Sequence, residues 1–232
     1  MLEIRNVTAG YDATTVLRDV SVTVPDGKVV VLLGANGGGK TTLLRVASRM
    51  IGTDAGSLQL DGVDMSSVSP SRMAQAGVCH VPEGRGIFAS LTVRENIALF
   101  AGKSSLSDAL ERTAEEFPVL VQRLKQVAGT LSGGEQQMLA LSRTFMGTPK
   151  VILLDEVSLG LAPKIVDELF EFLTKLAASG VSLLLVEQYV DRALAMADYI
   201  YLMGRGRVEY EGTPDGLDVS RVKESYVGMD LA

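Results

Sequence analysis

The amino-acid sequence predicts an α/β fold, and three observations carry that expectation. Short β-rich runs alternate with helical stretches, two of the runs are continuously apolar, and a third feeds a glycine-rich loop. Alternation of this kind is how strands are joined by crossover helices in a parallel sheet.

Residues 17–24 and 28–33 read as strands flanking Pro25-Asp26-Gly27, a turn in which Pro fixes φ and Gly accepts a positive φ. Residues 104–127 are mostly helical by pattern and poor in strand signals, so they form part of a helical insert between two portions of one sheet. Residues 151–154 and 181–186 are apolar throughout, as expected of central parallel strands covered on both faces. Between them, residues 164–178 read as an amphipathic helix, completing a strand–helix–strand crossover.

Composition narrows the setting. The 232 residues are enough for one large domain or two coupled lobes. Hydrophobic residues make up 47% of the chain, yet no uninterrupted apolar run approaches the length that spans a bilayer. The first residues, MLEIRNVTAGY, carry an acid at position 3 and no apolar core, so a signal peptide is not expected. A single cysteine, Cys79, allows no internal disulfide framework and fits a reducing cytoplasm. A formal charge of −6 argues against nucleic acid as a partner, which would need basic side chains gathered on one face.

The chemistry begins in the run VVVLLGANGGGKTTLL. Gly34, Ala35, Asn36, Gly37, Gly38, Gly39, Lys40, Thr41 and Thr42 match the P-loop pattern between an apolar strand and a helix-forming stretch. Glycines let backbone N–H groups converge on phosphate oxygens, and the helix N-terminus adds a favourable dipole. Lys40 is placed to reach the β- and γ-phosphates of ATP, and the Thr41 hydroxyl to ligate Mg²⁺. Further on, KVILLDEVS sets Asp155 and Glu156 just after four apolar strand residues. Asp155 is expected to hold the Mg²⁺ shell, and Glu156 to accept a proton from an attacking water.

One further motif selects among phosphate-loop enzymes. Leu131-Ser132-Gly133-Gly134-Glu135-Gln136-Gln137 precedes a helix, a short link and the acidic strand. It resembles the signature motif of ATP-binding-cassette (ABC) ATPases, and it forms a second anion cradle at a helix N-terminus. The resemblance covers nearly the whole chain. It implies a P-loop NTPase core with an antiparallel β subdomain and an inserted α-helical signature subdomain. The core would take about residues 1–84 and 146–232, the helical subdomain about 85–145. It implies too that Ser132, Gly133, Gly134 and Glu135 close over ATP held by a second ABC ATPase subunit, identical or not. Tyr11, standing before the first hairpin, matches the aromatic that stacks on adenine. Residues 158–161 occupy the position of the D-loop, which communicates across the dimer.

The runs VPEGRGIFASLTVRENI, DEVSLGLAP and LLVEQYVDRALAMADYIYLMGRGRVEYEG resemble the smaller ATPase of branched-chain (hydrophobic) amino-acid importers. Such a subunit would lie on the cytoplasmic face of the membrane with two transmembrane permease subunits and an extracytoplasmic substrate-binding protein. A urea, amide or other amino-acid importer, a soluble non-transport ABC ATPase and a regulatory module of low turnover are the competing readings. The sequence departs from the common cassette chiefly at Glu83 and Gln188, and in smaller ways at Val157 and at Gly38, where a small Ala or Ser is more usual. Glu83 stands where most members have Gln, and is expected to approach the metal or the water. Val157 replaces a Pro after Glu156. Gln188 replaces the switch His and is expected to face the γ-phosphate, while Glu187 beside it turns away or supports the loop. The only histidine, His80, reads as a packed strand residue.

Overall fold

Strands β1 (Leu2–Tyr11) and β2 (Thr14–Val24) alternate buried and wetter side chains, as a sheet with one solvated face requires. They pair antiparallel with Tyr11 opposite Thr14, so the first hairpin begins at Tyr11 itself. The computed structural model, which describes residues 1–102 and 104–217, places β1 between β2 and β4 (Ala55–Leu60), with β5 (Val63–Asp64) at the edge. The turn at Pro25-Asp26-Gly27 leads out of this sheet. It delivers the chain to β3 (Val29–Leu33), which pairs in parallel with distant strands, Val29 with Leu183 and Val30 with Tyr199. The Gly27 N–H donates to the Ser182 hydroxyl at 3.0 Å, which anchors the turn to the second sheet.

That second sheet joins β3 to β6 (Val78–Val81), β7 (Val151–Asp155), β8 (Ser182–Val186), β9 (Tyr199–Gly204) and β10 (Arg207–Gly212). Its order is β10-β9-β3-β8-β7-β6, parallel except for the hairpin between β9 and β10. The continuous apolar runs have a direct cause here, because alternate side chains enter two different cores. Val30, Leu32, Leu153, Leu184 and Val186 pack toward the antiparallel sheet and helix α1 (Lys40–Ala47). Val31, Leu33, Ile152, Leu154, Leu183 and Leu185 pack toward the helical layer.

In that layer lie α3 (Val93–Ala101), α4 (Leu106–Glu116), α5 (Pro118–Val121), α6 (Gly133–Ser142) and α7 (Pro163–Ala178). The short helices α2 (Pro70–Gln75) and α8 (Val190–Met196) complete the chain order. Helix α7 is the crossover between β7 and β8, and Val166, Leu169, Phe170, Phe172 and Leu173 supply its buried stripe. Helices α3 and α6 each start with a reciprocal capping box, Thr92 with Glu95 and Ser132 with Glu135. The C-terminal end of the expected core, beyond residue 217, lies outside the described residues.

Candidate active site

Strand β3 ends at Leu33 and the chain turns through the glycine loop into α1. Gly34 is held at φ 137°, and a Cβ there would sit 2.1 Å from the Met203 carbonyl oxygen on β9. Only glycine permits so close an approach of two backbones. Lys40 is 5% exposed, and its ammonium donates to the carbonyls of Gly34 (2.7 Å) and Ala35 (3.1 Å). Burial pulls its pKa down, while Glu156 and then Asp155 push it up.

Parallel pairing of β7 with β8 sets Asp155 opposite Val186, so Glu156 and Gln188, just beyond, emerge at the same end of two neighbouring strands. Asp155 is buried. Its Oδ1 accepts from the Thr41 hydroxyl at 3.2 Å, and its Oδ2 has no hydrogen-bond partner. Burial raises its carboxyl pKa to about 6, assisted by the charges of Glu156 and Glu83 and opposed by the Thr41 hydrogen bond. Glu156 adopts φ 48°, a left-handed conformation that is unusual for a side-chain-bearing residue. Its N–H donates to the Val186 carbonyl at 2.9 Å, and its Oε2 accepts from Gln188 Nε2 at 3.0 Å.

A cavity of about 460 Å³ gathers Asn36, Gly37, Gly39, Lys40, Thr41, Thr42, Glu83, Glu156 and Gln188 around one space. Gly34, Ala35 and Gly38 shape the loop from behind: the Gly38 N–H donates to the Ala35 carbonyl at 3.0 Å. Tyr11 is not among the lining residues. Its ring is 36% exposed, and its hydroxyl accepts from Arg45 at 3.0 Å. Val16 on β2 lines the same space without a sequence signal for doing so, and Leu159, from the segment matched to the D-loop, lines it too.

Glu83 is carried on a loop whose next three residues, Gly84, Arg85 and Gly86, all have positive φ. The Arg143 guanidinium at the end of α6 fastens this loop. It donates to the carbonyls of His80 (3.4 Å), Arg85 (3.3 Å) and Gly86 (2.6 Å). His80 Nδ1 lies 3.1 Å from the Ser48 hydroxyl, and burial, aided by Arg143 and Arg45, pushes its pKa down to about 4. It is the packed strand residue expected of it.

The signature residues lie elsewhere. Ser132, Gly133, Gly134 and Glu135 line a separate cavity of about 500 Å³ with Gly160, Leu161 and Ile165, and no residue lines both spaces. Glu135 accepts from the Ser132 N–H at 2.9 Å and pairs with Arg123 at 2.6 Å. Burial acts to raise its pKa, but the Ser132 hydrogen bonds and the Arg123 charge outweigh it, leaving the carboxyl below its usual range. The first glycines of α6 therefore present backbone N–H groups beside a held carboxylate.

Comparison with known proteins bears on this arrangement. Residues 17–158 match the ABC transporter family. The chain belongs to the ABC transporter ATPases. It is 40% identical to the high-affinity branched-chain amino acid transport ATP-binding protein BraG of Pseudomonas aeruginosa, covering 98% of this chain and all of that one. It is 35% identical to a probable branched-chain amino acid transport ATP-binding protein, LivF of Archaeoglobus fulgidus, over 94% of both chains. The lipopolysaccharide export system ATP-binding protein LptB of Haemophilus influenzae is 32% identical over 98% of this chain and 97% of its own. A solved ATP-binding subunit of an ABC transporter superposes with a TM-score of 0.84 at 27% identity, covering 96% and 98% of the two chains. The ABC cassette fold and an ATP-binding, ATP-hydrolysing role follow directly. Among the described residues, no helix is long and apolar enough to cross a membrane.

Proposed function

We propose that this ABC ATPase powers an importer of branched-chain amino acids, working at the cytoplasmic face of the membrane. The observation that carries the catalytic part is the convergence of Lys40, Thr41, Glu156 and Gln188 on one cavity, with Asp155 buried beneath it. The substrate part rests on 40% identity to BraG along the full chain. Two transmembrane permease subunits and an extracytoplasmic binding protein would complete the system, and the choice of amino acid would lie with them.

In this reading the glycine loop and Lys40 hold the β- and γ-phosphates of ATP. Entry of the anion gives the Lys40 ammonium acceptors other than the Gly34 and Ala35 carbonyls and favours its charged form. The donor set fits Mg²⁺: Thr41 offers a hydroxyl, Asp155 an oxygen with no partner, and Glu83 a further carboxylate at the cavity wall. When bound, the ion would neutralise charge developing on the phosphates. Glu156 takes the proton of the attacking water, and the Gln188 amide, already donating to it, fixes its orientation. Gln188 supplies a neutral donor where an imidazole would bring a titrating one.

The second cradle, at Ser132 to Glu135, serves ATP held by another ABC subunit, identical or not. Its separation from Lys40 supports that assignment, since one nucleotide does not need two unconnected cradles. Residues 85–145 act as the helical subdomain that presents it, and Tyr11 stacks on adenine at the hairpin end. A steady-state ATPase assay of the purified protein tests the catalytic part. Glu156→Gln should reduce kcat at least ~100-fold while retaining ATP binding. Uptake of labelled branched-chain amino acids by the assembled complex tests the substrate part. Uptake of urea or amides instead would redirect the assignment within importers, and lipopolysaccharide export would overturn it.

A further inference from the structure

Glu187 is a buried acid to which the site as described gives no task. It follows the last residue of β8 and is 1% exposed, although its neighbour Gln188 faces solvent. Its Oε1 accepts from the Ser158 N–H at 3.0 Å, and its Oε2 accepts from the Ser158 hydroxyl and, at 3.2 Å, from the Gln188 N–H. One carboxylate thus takes three donors from two distant segments of the chain, two from Ser158 and one from Gln188. Ser158 in turn holds the loop that follows it, since the Leu161 N–H donates to its carbonyl at 3.2 Å.

That loop touches both cradles. Leu159 lines the cavity of Lys40 and Glu156, whereas Gly160 and Leu161 line that of Ser132 and Gly134. A side chain that fixes Ser158 therefore holds a loop whose successive residues line first one cradle and then the other. The same carboxylate also holds the backbone from which Gln188 reaches Glu156.

We infer that Glu187 is a positioning residue for hydrolysis, clamping the loop at residues 156–161 to the end of β8 so that Glu156 and Gln188 keep their mutual geometry. The inference rests on the roles given above to Glu156 and Gln188. Glu187 is distinct from them in that it faces protein on every side and has no place on the cavity wall. Burial is the main influence on its ionisation and raises its pKa to about 7. The Ser158 and Gln188 hydrogen bonds oppose that rise, and Glu156 is the charged side chain that adds to it.

Two measurements on the full-length protein separate the clamp from the chemistry. The first is hydrogen exchange of the peptide spanning residues 156–161, without nucleotide. Glu187→Ala and Ser158→Ala should each speed its exchange at least ~10-fold, a readout that does not depend on which residue is the catalytic base. The second is turnover. Each variant should lower kcat ~10-fold with ATP affinity unchanged, and the double variant should lose no more than either alone, because the two side chains act as one unit. Glu187→Gln keeps the shape and an acceptor oxygen. It should recover most of the lost kcat and remove any inflection of the pH–rate profile near 7.

Unchanged exchange in Glu187→Ala would overturn the clamp. Faster exchange with wild-type kcat, or additive losses in the double variant, would overturn its positioning role. If Glu156→Gln stays active while exchange still rises in Glu187→Ala, the assignment of the base fails and the clamp stands. Thermal melts of each variant confirm that a folded protein is being compared.

Discussion

Asp155 is a carboxyl group with one oxygen satisfied by Thr41 and the other buried without a partner. Its pKa of about 6 lies above the ordinary value of 3.8, so the folded chain binds a proton more tightly there than the unfolded chain does. Stability in the absence of nucleotide and Mg²⁺ therefore falls as pH rises from about 4 to 6 on account of this group, and the loss persists above that range. Asp155→Asn removes the ionisation while keeping an acceptor for Thr41. In metal-free buffer it should melt several degrees above wild type at pH 7.5, the difference shrinking toward pH 4. The upper bound is ~3 kcal/mol, and differential scanning calorimetry across that range reads it. A second residue-scale outcome concerns Gln188. Replacing it with His should alter kcat at least ~5-fold more than it alters ATP affinity, as single-turnover and equilibrium binding measurements would show. With His80 pushed down to about 4, no histidine of the wild-type protein titrates near neutral pH. Because Glu187 is itself raised to about 7, the new imidazole is read in the Glu187→Gln background, where an inflection near pH 7 that appears on adding Gln188→His reports it.

At the scale of elements, the glycine loop depends on its neighbour strand. Gly34 and the Met203 carbonyl approach so closely that any Cβ must displace β9 or the loop itself. Gly34→Ala is expected to lower the melting temperature, at a cost of ~1–3 kcal/mol, and to weaken ATP binding at least ~10-fold, which isothermal titration would register. The loop itself was legible in sequence because all its chemistry is local: strand, glycines, Lys40, Thr41 and helix follow one another without a gap. Asp155 and Glu156 were legible for the same reason, standing where an apolar run stops. What sequence could not express is contact between distant segments. The Arg143 side chain that fastens the Glu83 loop lies 57 to 63 residues beyond the carbonyls it meets. Nor does Pro25-Asp26-Gly27 reveal that it passes from one sheet to another, since a turn specifies a reversal and not a pairing partner. Sequence does not express the inward turn of Glu187 either, because the Ser158 N–H and hydroxyl that donate to it lie 29 residues away.

For the whole molecule, the six-stranded sheet is a wall between two hydrophobic cores, and that explains why its central strands could be read from their apolar runs. Strands with both faces buried are written as unbroken apolar runs, whereas β1 and β2, wetted on one face, alternate. Glu156 appears just past such a run because the strand end is the first place where a charged group reaches open space. Asp155, the last strand residue, stays buried against Thr41. The helical layer was harder to delimit, since its apolar residues merge with the sheet in one continuous core.

Because no residue lines both the Lys40 cavity and the Ser132 cavity, a single chain can be broken in two independent ways. A Lys40→Ala chain retains its signature, and a Ser132→Arg chain retains its phosphate loop. Each preparation alone should be inactive. On the proposal that each signature closes over the partner's phosphate loop, a paired enzyme made by mixing them would hold one composite site with the intact phosphate loop of one chain and the intact signature of the other. Such a mixture should regain activity toward a quarter of the wild-type rate, since half the pairs are mixed and each holds one sound site. A rescue curve against mixing ratio would thus count the subunits that share each ATP, without a structure of the assembly.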